Sequence, residues 1–159
     1  MDATALTILL QELQADAAVI QDAARKAGLH LEQETTGRLE ACAYELSRAY
    51  NVAERALERI CGAFENHFEK QGDYHERLLL RLSLQVPGIR PAFVPADRLT
   101  LLRELKGFRH VVRHAYDLTL RADRLLELSR LAQQLAQEFP SWCAAFNRQV
   151  RAEQDWGPE

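Results

Sequence analysis

Apolar residues recur along this chain at three- and four-residue steps almost from end to end, the period of an α-helix. A first helix is expected over 3–27, with the stripe Leu6, Leu9, Leu13, Ala17, Ile20 and Ala24. Gly28, after Arg25 and Lys26, reads as its stop. A long second helix is expected over 31–69. Its stripe of Leu39, Ala43, Leu46, Tyr50, Ala53, Leu57, Ile60, Phe64 and Phe68 alternates fours and threes, with Gly62 as the expected bend. Gly72 and Asp73 punctuate the chain before a third helix ending near Val86. The stretch "VPGIRPAFVPAD" (86–97) holds three of the five prolines and reads as a loop. Asp97 is expected to cap a fourth helix, with the stripe Leu101, Leu105, Phe108, Val112 and Ala115. A fifth should run from Leu120 to Phe139, broken by Pro140, and a last one over 142–154. No strand pattern is present. The expectation is an all-α fold: one domain over 1–159, an antiparallel bundle of four to five main helices. The alternative is an irregular helical array.

Composition supports that picture. At 159 residues and 47% hydrophobic, the chain can bury one core. There is no unbroken apolar run of about 18 residues, so no membrane span is expected. The start "MDATALTILLQELQAD" lacks a basic n-region and does not look like a signal peptide, which makes the cytoplasm the expected compartment. Cys42, Cys61 and Cys143 are odd in number, widely spaced and without a CxxC. They are expected as buried reduced thiols rather than a disulfide framework or zinc site.

Net charge is −3, which gives no general support for nucleic-acid binding. Its distribution changes the picture. Residues 98–130 carry 8 basic and 4 acidic side chains, net +4, while 1–97 are net −5 and 131–159 net −2. The basic third contains "GFRHVVRHAYD" (107–117). On a regular helix with Arg109 at 0°, Arg113, Lys106, His110 and His114 fall at about 40°, 60°, 100° and 140°. Val112 and Phe108 lie on the other side. One face would then pack, and the other would present cations and imidazoles with no acid among them. Arginine's planar fork matches phosphate oxygens, and histidine can take or give a proton near neutrality. Metal-free cleavage of RNA needs both. Arg109 and His114 stand about 7.5 Å apart along such a helix and do not converge on one atom. Two explanations are a frayed helix end at His114, or two copies meeting across a two-fold axis. The plainer reading is a solvated helix face.

His67 and His75, with acidic neighbours, match no standard helical metal-ligand spacing and read as a solvated helix end and turn. Trp142 and Trp156 read as packing residues.

Arg109, His114 and Tyr116 spell R-x4-H-x-Y, and "LRELKGFRHVVRHAYDLTL" resembles the signature helix of HepT-like toxins of the HEPN superfamily of helical ribonucleases. The match covers about 20 residues closely and the helical layout loosely. The resemblance implies a homodimer with both motif copies lining one cleft, and metal-independent RNA cleavage without a cofactor. It gives Arg109 the scissile phosphate and His114 the acid–base role; His110, Arg113 and Lys106, on the same basic face, are the expected substrate-binding residues. It further implies an MNT-type minimal nucleotidyltransferase antitoxin as partner, able to attach AMP to Tyr116. One departure stands out. His110 follows the arginine where the family usually has Asn or Asp. That departure keeps open a catalytically silent bundle that docks a nucleotidyltransferase or binds nucleotide.

Overall fold

The computed structural model describes residues 1–65, 72–114 and 119–153. Five α-helices appear among them: α1 (Ala3–Glu32), α2 (Arg38–Glu65), α3 (Tyr74–Leu82), α4 (Leu99–His114) and α5 (Ala122–Glu153), with a 3-10 turn at Ala96–Arg98 leading into α4. No named strand occurs among the described residues; a single bridge pairs Val86 with Arg90. The chain is thus all-α, as its periodicity predicts. Buried side chains from every α-helix, with Phe93 and Val94 of the loop before α4, form one continuous apolar cluster.

The layout follows from α2. It packs on α1 most extensively and also touches α3, α4 and α5, whereas α1, among the described helices, meets only α2 and α5. Its buried residues include six of the expected stripe, Ala43 through Ile60. At 28 residues it is about 42 Å long. A helix in contact with all the others can gather polar groups from several of them, and α2 does so at Glu54.

Several boundaries differ from the sequence expectation. Gly28 does not end α1. It lacks the positive φ of a glycine stop, and α1 runs on to Glu32, where Gln33 ends it in an extended conformation; the positive φ at Gly37 (81°) comes later, immediately before α2. Gly28 is a packing position. A Cβ there would lie 3.0 Å from the Gln133 amide nitrogen and 3.9 Å from the Ser129 hydroxyl on α5. Gln133 presents the end of a flexible side chain, which can yield. Gly28→Ala is therefore expected to raise stability by up to ~1 kcal/mol through helix propensity, measurable by urea denaturation. A loss of more than ~1 kcal/mol would mean that Gln133 is fixed in place.

α1 also carries an 18-residue window with mean hydropathy 1.2, long and apolar enough to cross a membrane by composition alone. Interspersed rather than continuous apolar residues produce it, and one stripe, Leu6 to Ala27, is buried against α2 and α5.

Asp73 precedes α3 without a side-chain cap bond, and α3 ends at Leu82 rather than near Val86. Asp97 lies within the 3-10 turn, not at the start of α4, and accepts from Arg98. Pro140 does not break α5. Proline cannot bond the carbonyl four residues back, so the Ala136 oxygen loses its helical donor. The Gln21 side chain of α1 approaches that oxygen at 3.5 Å, and Ser141 Oγ donates to the Glu138 carbonyl at 2.6 Å. Tertiary packing holds the helix through the proline. The expected end of α2 near residue 69 lies outside the described residues.

The 83–95 loop is organised by Arg90, whose side chain is fully buried. It donates to Glu65 Oε1 (2.6 Å) and to the carbonyls of Leu84 (2.9 Å), Arg81 (2.9 Å) and Pro91 (3.2 Å). All three cysteines are free and buried, and burial pushes Cys42 and Cys61 up to about 11 and Cys143 up to about 12. Trp142 is buried against Phe93 and Phe139.

Candidate active site

The motif helix α4 lies against α2, α3 and α5. Its buried line is Leu101, Leu102, Leu105 and Arg109, while Phe108 and Val112 are half-buried. Arg109 therefore continues the leucine stripe inward. The expected face of cations free of acids does not exist in that form. The acids come from other helices and cannot be read from α4's own sequence.

Arg109 is 5% exposed. Its Nη1 donates to Glu54 Oε2 and to Asn51 Oδ1, each at 3.1 Å, and its Nη2 donates to Glu54 Oε1 at 3.3 Å. The guanidinium lies 5.0 Å from the Tyr50 ring centroid. Tyr50 Oη in turn donates to Glu54 Oε1 at 3.2 Å. Burial first, and the Glu54 charge second, push the Tyr50 phenol well above its usual range, so it remains a donor. Tyr50, Asn51 and Glu54 share one face of α2 at three- and four-residue spacing. Arg109 Nε is buried with no hydrogen-bond partner, an unmet donor in an otherwise paired site.

Lys106 is also paired. Its Nζ donates to Glu76 Oε2 of α3 at 2.5 Å, and Arg103 donates to the other oxygen of the same carboxylate. The hydrogen bonds from Arg103 and Lys106 hold the Glu76 carboxyl below its ordinary value of 4.5. Stability drawn from this cluster is thus present above the ordinary carboxylate range and is lost as pH falls through the depressed value. Glu76→Gln should flatten the acid limb of a thermal-midpoint profile below about pH 4.5; an acid limb identical to wild type would remove Glu76 from it.

His110 and His114, one helical turn apart, are exposed and stacked, with ring centroids 4.3 Å apart and planes at 26°. His114 Nδ1 lies 2.8 Å from the His110 carbonyl. A carbonyl only accepts, so Nδ1 carries the hydrogen and Nε2 is the basic nitrogen of the neutral ring. His114 is the last described residue of α4, and Arg113 beside it is exposed. Tyr116 lies outside the described residues, as do His67 and Trp156.

The structure thus divides the expected site residues. His110, Arg113 and His114 lie on the surface at the C-terminal turn of α4, whereas Arg109 and Lys106 are tied to carboxylates. Glu54, Tyr50, Asn51 and His75 join Arg109, and the sequence reading assigned none of them to the site. The only available signal was the polar pair Asn51 and Glu54, flanking buried Tyr50 and Ala53 in an apolar stripe. Beyond this cluster, a cleft of about 320 Å³ opens between α4 and the start of α5, touching Gly107, Phe108 and Leu120 but neither Arg109 nor His114.

An all-α bundle with an arginine and a histidine five residues apart on one helix is consistent with the HEPN-like class. A family model described as HepT-like protein matches residues 41–150, from α2 through most of α5. The chain belongs to this HepT-like family of the HEPN superfamily. No curated protein and no solved structure matches it significantly.

Proposed function

We propose that this protein is the RNA-cleaving toxin of a toxin–antitoxin pair, acting without metal. The observation that carries the reading is the exposed His114 at the end of α4, five residues after Arg109, whose Nε2 is left free by the Nδ1–carbonyl bond, in a chain of the HepT-like family. His114 is the acid–base residue and Arg109 supplies positive charge near the scissile phosphate, with His110, Arg113 and Lys106 around the RNA. Two copies meet so that their α4 surfaces share one cleft. A minimal nucleotidyltransferase is the antitoxin, and AMP transferred to Tyr116 would add negative charge and bulk close in sequence to Arg109 and His114, opposing RNA. The test is RNA cleavage by the purified protein in EDTA, compared with His114→Ala. Cleavage by wild type alone supports the reading, and equal behaviour of the two ends it.

A second reading is favoured by one observation, the burial of Arg109 against Glu54. A guanidinium so neutralised contributes to the fold rather than to a phosphate site. The protein would then be a catalytically silent bundle that docks a nucleotidyltransferase or binds nucleotide. Nucleotidyltransferase binding with no RNA cleavage by wild type would select it.

A further inference from the structure

A second imidazole stands beside Arg109. His75 is the second residue of α3, and its Nδ1 lies 2.5 Å from Glu54 Oε1 and 3.3 Å from Arg109 Nη2. The short contact to the carboxylate requires a hydrogen on Nδ1, because a carboxylate only accepts. Nε2 is then the lone-pair nitrogen of the neutral ring and a donor in the charged one. The Glu54 and Arg109 side chains are 9% and 7% exposed, but that of His75 is 44% exposed. The ring therefore joins a buried ion pair to solvent. Tyr74 braces it edge-on at 5.4 Å, and the Tyr74 hydroxyl is itself fixed to Glu58 on α2. A carboxylate on one imidazole nitrogen with the other nitrogen free is the arrangement that orients a histidine for proton transfer.

RNA cleavage by the neighbouring hydroxyl makes two demands on protons. As the 2′-oxygen bonds to phosphorus, its proton must leave. As the bond from phosphorus to the 5′-oxygen breaks, that oxygen must gain a proton. The products are a 2′,3′-cyclic phosphate and a 5′-hydroxyl, and solvent restores the two protein groups. The entering and leaving oxygens stand on opposite sides of phosphorus, so two proton-transfer groups are needed, and the imidazole that stands beside Arg109 itself is that of His75. We propose that His75, held by Glu54 as its positioning residue, is the second proton-transfer residue of this site, working with His114. The proposal rests on the RNA-cleaving reading above.

The experiment measures single-turnover cleavage of a short RNA by wild type, His75→Ala, His75→Asn and His114→Ala, alongside binding of the same RNA made uncleavable by a 2′-O-methyl group. His75→Asn keeps a side-chain N–H at the Nδ1 position for Glu54 while removing Nε2. Both His75 variants are expected to cleave about 10²-fold slower or worse, with RNA affinity within about twofold of wild type. A substrate whose leaving 5′-oxygen is replaced by sulfur needs no proton donor. It should restore the rate of either His75→Ala or His114→Ala, but not both, and the restored variant identifies the acid. Wild-type rates in both His75 variants with an inactive His114→Ala would overturn the proposal and leave the RNA-cleaving reading standing. A rate loss matched by an equal loss of RNA affinity would overturn it too, as would sulfur rescue of both variants or of neither. Absence of cleavage by wild type would remove both the reading and the proposal.

Discussion

His114→Ala is expected to lower the rate of RNA cleavage by about 10²–10⁴-fold, the usual contribution of a positioned acid or base. The thermal midpoint should scarcely move. His114 is exposed at the end of α4, and its described polar contact is the Nδ1 bond to the His110 carbonyl one turn back. Surface changes of that kind cost within about 0.5 kcal/mol. Arg109→Ala is the poorer probe even though it should also abolish cleavage. It leaves the Glu54 carboxylate buried without its cation, so lost activity would be confounded by lost fold. A His114→Ala protein that cuts RNA as fast as wild type, under EDTA and with an unchanged midpoint, would eliminate the acid–base role.

The helical layout was legible because it depends on local periodicity. The α2 stripe from Ala43 to Ile60 is buried as its spacing implied. What the sequence misplaced were breaks whose outcome tertiary contacts decide. Gly28 and Pro140 both read as stops, yet each lies inside a helix at the α1–α5 contact, one giving room for α5 and the other offering a freed carbonyl to Gln21. The site was half legible for a similar reason. Angular positions on α4 place its own side chains but say nothing of the facing helices. Arg109 at the head of the cationic arc proved to extend the line Leu102–Leu105, because Glu54, 55 residues earlier in the chain, neutralises it. His75 reads from the sequence as part of a solvated helix end and turn. Its proximity to Glu54 and Arg109 exists only once α2, α3 and α4 have packed.

Glu54→Ala is expected to destabilise the fold by about 3–5 kcal/mol, the cost of stranding one member of a buried ion pair. For a chain of this size that is a fall of on the order of 10 °C in thermal midpoint. Three donors converge on the carboxylate: the Arg109 guanidinium, the Tyr50 hydroxyl and His75 Nδ1. Removing it leaves a guanidinium that is 7% exposed without a counter-charge, and a buried phenol without its acceptor. The double change Glu54→Leu with Arg109→Met should cost less than Glu54→Ala alone, since an apolar pair of similar volume removes both charges at once. Such an outcome would imply that the pair persists for chemistry rather than for stability. A cost below about 1 kcal/mol for Glu54→Ala would mean that Arg109 leaves the core and is solvated. The same movement would bring its guanidinium out to a phosphate, so calorimetry of this one variant also reports how firmly Glu54 restrains the arginine that the RNA-cleaving reading requires.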